Sequence, residues 1–188
     1  MESVKIVITG AYAAGKTSFI RSISEIDILS TEYEVTDEKE RQLKHQTTVA
    51  LDFGKLAIND DYVLYIFGTP GQERFDFMWE HLSIGCLGYV VLVDSCRPAH
   101  LNETYRLMER FVEITDAPFI VAANKQDDPT ALPLSYIRRR LQIPIETPIV
   151  PCVANDRESV KSVLLTLLDH IAVQTYGQKV DDLQEDSE

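Results

Sequence analysis

A chain of 188 residues, 45% hydrophobic and 26% charged, carries enough apolar surface for one well-filled core, and its composition requires neither a second core nor long disorder. Its 30 Asp and Glu against 18 Lys and Arg leave a net charge of -12, which argues against nucleic acid or anionic lipid as a direct partner. Cys86, Cys96 and Cys152 are odd in number and lack metal-ligand spacing, so they read as reduced thiols of a cytoplasmic protein, and the scattered His45, His81, His100 and His170 suggest no zinc site.

In chain order, the first predicted element is a strand over Val4 to Thr9, followed at once by "GAYAAGKTS". Gly10, Gly15, Lys16 and Thr17 satisfy the spacing G-x-x-x-x-G-K-[ST], with a strand before and an amphipathic helix (Phe19, Ile20, Ile23, Ile26) after. In that setting the N–H groups of Ala13, Ala14, Gly15, Lys16, Thr17 and Ser18 turn inward onto phosphate oxygens. Lys16 holds the β- and γ-phosphates, and the Thr17 hydroxyl is a ligand of Mg²⁺. A polar stretch, Glu32 to Gln46, has neither helical nor strand period and reads as a long surface connection, functional or mobile. Strands are predicted over Thr48 to Ile58 and Tyr62 to Phe67, and the turn Asn59-Asp60-Asp61 between them makes this pair an antiparallel hairpin.

Phe75, Phe77, Met78 and Trp79 come next, and as aromatics they suit a partner interface and a core equally. Further strands are predicted over Gly88 to Asp94, Pro118 to Ala123 and Ile149 to Val153, separated by crossover lengths and therefore parallel. Leu107, Phe111 and Ile114 mark one helix face, and Val160 to Ile171 another. Arg138, Arg139 and Arg140 read as a solvated basic face of a helix. Asn124-Lys125-Gln126-Asp127 stands at the carboxyl end of a strand. Asp127 can accept two hydrogen bonds from guanine N1–H and N2–H₂, whereas adenine offers an acceptor at N1 and no amine at C2. Asn124 ties strand to loop, and the stem of Lys125 lies along the ring. The end of the chain, from about residue 176, is acidic and reads as a disordered tail after a domain over 1–175. No signal-peptide, lipidation or bilayer-spanning pattern is present, so any contact with a membrane is expected through a partner.

On "GAYAAGKT", "TTVALDF", "FGTPGQERF", "NKQD" and "PCVAND", the chain resembles the Ras-like small GTPases over essentially residues 1 to 175. Its "FGTPGQERF" and "FMWEHLSIGCLGYVVLVD" look most like prokaryotic members, the GTPases encoded beside Roadblock-type proteins in conservon clusters and, more distantly, the gliding-motility GTPases called MglA. The resemblance implies an α/β P-loop G domain, a six-stranded, mostly parallel sheet with one antiparallel strand and about five helices, binding GTP or GDP with Mg²⁺. It implies that Thr48 binds Mg²⁺ and the γ-phosphate, that Gly71 meets the γ-phosphate, and that Gln72 orients the attacking water. It further implies that Val153 and Ala154 lie at the base, where the Ala154 N–H meets the guanine carbonyl, and that a Roadblock/LC7-type dimer is a candidate partner.

Two departures carry expectations. Gly68 stands where these relatives carry an aspartate that supports Mg²⁺ through water, so looser Mg²⁺ and faster GDP release are expected. Tyr12 stands where a partner's arginine would pass to the γ-phosphate, so hydrolysis is expected to be weak and without a Ras-type arginine in trans, while Arg41 and Arg74 are candidates for an internal one. Two functions remain: a switch that hydrolyses GTP slowly, and a module that senses GTP against GDP and barely hydrolyses it. A third class, a P-loop ATPase or kinase, is disfavoured because Asp127 selects guanine and no lid or acceptor site is visible in the sequence.

Overall fold

The apolar run Ile6, Val7, Ile8 is completely buried in β1 (Glu2–Thr9) of the computed structural model, which describes residues 2–30, 51–70 and 77–185. A strand with helices on both faces needs an unbroken apolar run, not alternation, and β5 (Gly88–Asp94), buried at all seven positions, follows the same rule. The remaining strands are β2 (Leu29–Ser30), β3 (Asp52–Ala57), β4 (Tyr62–Gly68), β6 (Phe119–Asn124) and β7 (Ile149–Pro151), in the order β2-β3-β4-β1-β5-β6-β7. Only β3 runs against its neighbours. The expected α/β architecture is therefore present: six principal strands, one of them antiparallel, with the two-residue β2 added at the edge. The hairpin turn forms because Asn59 Oδ1 accepts the N–H groups of Asp61 and Tyr62, each at 2.9 Å.

Alternate residues of each buried strand point to opposite faces and so build two cores. Ile6 and Ile8 join Phe19 and Ile20 of α1 (Lys16–Ile23) and Val163, Leu164 and Leu167 of α5 (Arg157–Glu185). Val7 joins Trp79 of α2 (Phe77–Ser83), Phe111 of α3 (Leu101–Ile114) and Ile137 of α4 (Leu134–Arg140). Trp79 belongs to the core: its ring lies 5.4 Å from that of Phe111 and its indole N–H donates to the Pro70 carbonyl at 3.3 Å. Met78 is half-buried, while Phe75 and the Phe77 side chain lie outside the described residues.

Three expectations differ from what the fold contains. The last strand ends at Pro151, not Val153, because the Val153 N–H turns away to donate to Ser159 Oγ at 2.8 Å. Where a disordered tail was expected from 176, the α5 backbone is helical to Glu185, since a helix nucleated on the core over Val160–Ile171 propagates at little cost where no proline interrupts it. Arg138 is not simply part of a solvated basic face. Its guanidinium donates to the carbonyls of Ile143, Pro144 and Thr147 and so brackets the loop between α4 and β7. No helix among the described residues is long and apolar enough to cross a membrane.

Candidate functional site

The loop after β1 is shaped by two glycines that no other residue could replace. Gly10 has φ 147° and a Cβ there would fall 2.3 Å from the Leu92 carbonyl oxygen; Gly15 has φ 106° and a Cβ there would fall 2.4 Å from Asn124 Nδ2. The loop therefore packs directly on β5 and on the end of β6. Lys16 enters it with its ammonium donating to the carbonyls of Gly10 at 2.6 Å and Ala11 at 2.9 Å. Burial lowers the pKa of Lys16 to about 8, although the carboxylates of Asp52 and Glu103 pull it upward. Ala13, Thr17 and Ser18 are exposed. A curled loop, an embedded cation and the start of a helix together form a phosphate cradle.

Asn124 joins this cradle to the other end of the site. Almost completely buried, it donates through Nδ2 to the Ala14 carbonyl and accepts through Oδ1 the Ala154 N–H, both at 2.8 Å. One side chain thus spans the loops after β1, β6 and β7, at the carboxyl ends of strands beside the point where the sheet order reverses. Asp127 is exposed at the open side of this junction. The Ala154 N–H, expected to meet a guanine carbonyl, is occupied by Asn124, and Val153 is turned toward Ser159. Lys125, at φ 65°, does not stand free either: its ammonium lies 2.6 Å from Asp94, whose side chain is buried at the end of β5.

The most informative residue is one the sequence reading missed. Asp52 pairs with Gly68 across β3 and β4, and the Thr17 hydroxyl donates to Asp52 Oδ2 at 2.6 Å. A Cβ on Gly68 would lie 3.1 Å from Asp52 Cβ and 2.9 Å from Ile20 Cδ1, so Asp52 already fills the space beside Gly68. A carboxylate thus stands beside position 68, carried by the neighbouring strand. By accepting the hydroxyl proton, Asp52 leaves the lone pairs of Thr17 available to a cation. Hydroxyl and carboxylate oxygens are the donor set that a hard divalent ion such as Mg²⁺ prefers, and so these residues fit it. The signal was legible: counting outward from the turn at Asp60 places residue 52 opposite 68. Thr48, Gly71, Gln72, Arg41 and Arg74 lie outside the described residues.

Residues 8–174 match a family described as conserved hypothetical ATP binding protein. The chain belongs to that family. The match begins two residues before Gly10 and ends within α5, so it includes the whole site. Among curated proteins, the chain is similar to the uncharacterized protein MJ1339 of Methanocaldococcus jannaschii, 29% identical over 67% of this chain and 72% of the relative. It is also similar to ADP-ribosylation factor-related protein 1 of Bos taurus, 26% identical over 71% of this chain, and spans 64% of that protein's length. With ADP-ribosylation factor-like protein 4C of Homo sapiens it shares 25% identity over 76% of this chain and 70% of the relative.

Proposed function

We propose that this chain is a guanine-nucleotide switch that binds GTP or GDP with Mg²⁺, hydrolyses GTP slowly and controls a partner protein. The observation that carries the reading is Asn124, which binds phosphate loop and base loop into one unit with Asp127 exposed beside it. The family's description names ATP. The acceptor-only carboxylate of Asp127 favours guanine, because it faces the N1 lone pair of adenine unfavourably. Similarity to two ADP-ribosylation factor relatives supports the same choice. Competition of GDP and ADP for the purified chain tests it, and equal affinity would overturn it.

In this reading Lys16 and the loop amides hold the phosphates, and the exposed Thr17 and Ser18 contribute theirs at the start of α1. Thr17 and Thr48 would hold the metal, with Asp52 orienting the Thr17 hydroxyl, and such an ion would neutralise charge on the phosphoryl oxygens. Gln72 orients water, and Gly71 meets the γ-phosphate. Single-turnover hydrolysis with Gln72→Leu is expected to fall by at least about a hundredfold, in proportion to the positioning work assigned to that side chain. A second reading, a sensor with negligible hydrolysis, is favoured by Tyr12, which is 61% exposed at the mouth of the loop. Wild-type turnover indistinguishable from Gln72→Leu would select it. The unpaired cysteines support a cytoplasmic setting. The resemblance supports a prokaryotic branch and a Roadblock/LC7-type dimer as partner. Arg41 and Arg74 are candidates for an internal arginine against the reading of surface charges or partner contacts, and turnover of Arg41→Ala and Arg74→Ala decides.

The buried cation gives the site a pH signature. In the free protein Lys16 is half neutral near pH 8, and phosphate charge raises its pKa when nucleotide binds. Binding then takes up a proton above about pH 8, and affinity is level below that and falls as pH rises. Calorimetry in buffers of different ionisation enthalpy reads the proton directly.

A further inference from the structure

Glu103, in the first turn of α3, reaches the phosphate loop at Tyr12, whereas Asp52 reaches it at Thr17. Its Oε1 accepts the Tyr12 N–H at 3.4 Å across 91 residues of chain. The contact is long for a hydrogen bond and exposed, and the carboxylate's electrostatic reach extends further. Glu103 is one of two carboxylates that act on the ammonium of Lys16, the other being Asp52. Their situations differ. Asp52 is almost completely buried and accepts a charged-acceptor bond from Thr17 at 2.6 Å, so its charge is committed to the cation-binding side. Glu103 is half-buried, receives one long bond from a backbone N–H, and stands in the first turn of α3.

We infer that Glu103 determines the preference between nucleoside diphosphate and triphosphate, holding the site toward the diphosphate by like-charge repulsion of the terminal phosphate. The inference rests on the proposed nucleotide site. Lys16 in such a loop reaches the β- and γ-phosphates, so a carboxylate that meets the Tyr12 N–H and acts on the Lys16 ammonium also acts on the terminal phosphate that this ammonium holds. Lengthening the phosphate chain brings added negative charge toward Glu103 while leaving the base contacts unchanged. The same carboxylate balances the buried ammonium when no phosphate is present. A partner that drew Glu103 away with a basic side chain would therefore promote the triphosphate state.

The test is the ratio of affinities of the full chain for GDP and for a non-hydrolysable GTP analogue, with Mg²⁺ present. Glu103→Gln keeps the size and the acceptor for Tyr12 but removes the charge, whereas Glu103→Ala removes both. Glu103→Gln is expected to tighten the analogue about three- to tenfold relative to GDP, and the gain should shrink toward nothing at ~0.5 M salt, as a screened repulsion must. A gain confined to Glu103→Ala, or one equal for both nucleotides, would mean a loop-packing role and would overturn the inference. A wild-type chain that binds neither nucleotide overturns the proposed function and this inference together. A wild-type chain that binds both, with a ratio unmoved by Glu103→Gln, overturns this inference alone.

Discussion

Asp52→Ala is expected to lower Mg²⁺-dependent nucleotide affinity by about ten- to a hundredfold, the usual consequence of removing a group that orients a metal ligand. Thr17 would keep its hydroxyl, but the proton would no longer be held at 2.6 Å by Asp52 Oδ2, and the lone pairs would lose their fixed direction. Titrating nucleotide affinity against Mg²⁺ concentration separates this from unfolding, because the metal-independent affinity should move little. The pairing of Asp52 with Gly68 supplies a stronger test. Gly68→Asp alone should impair the site, since its Cβ would press on Ile20 and on Asp52, and two carboxylates would share one space. The double change Asp52→Gly with Gly68→Asp moves the carboxylate across the ladder and should recover most of the lost Mg²⁺ dependence. An unchanged Mg²⁺ titration in Asp52→Ala would show that Asp52 serves packing only. That outcome would favour the expectation drawn from Gly68 by itself, loose metal and fast GDP release.

Asp127→Asn should cost at least about a hundredfold in guanine affinity, because it removes a carboxylate acceptor from two hydrogen bonds, each worth about 1.5–3 kcal/mol when charged. The amide can donate to the carbonyl that xanthine carries at C2, so xanthine nucleotides should gain relative to guanine ones. Asp127 is exposed and its replacement removes no core contact, so folding should be unaffected. The measurement is competition among GDP, XDP and ADP on wild type and variant. A variant that still prefers guanine would mean that the base is read elsewhere. A wild type that prefers adenine would align the chain with its family's description and leave Asp127 a surface residue.

The rigid half of the site explains why such changes should act locally. β5 and the second half of β1, from Ile6 to Thr9, are buried on both faces, and Gly10 and Gly15 press the loop against Leu92 and Asn124 with no room for a Cβ. Lys16, Asn124 and Asp94 are likewise buried among these elements. Preorganisation of this kind makes a side-chain substitution cost mainly its own interactions. Cys152, buried beside the base loop with its thiol pushed up to about 12 by burial, is inert and adds only packing.

The residue order alone determined the parts whose chemistry is local: the phosphate loop between a strand and a helix, the hairpin turn at Asn59, and the alternation of buried strands with amphipathic helices. Each of these depends on neighbours within a few positions, so short-range spacing carries it. What only the tertiary structure decided are meetings across long separations. Asp52 comes to Thr17 through strand register, Glu103 to Tyr12 through the packing of α3, and Lys125 to Asp94 through the pairing of β5 with β6. The allegiance of Trp79 to the core was open, and that of Arg138 to backbone carbonyls was missed, for the same reason. An aromatic or an arginine suits either surface or interior, and which it takes depends on what the fold brings to it.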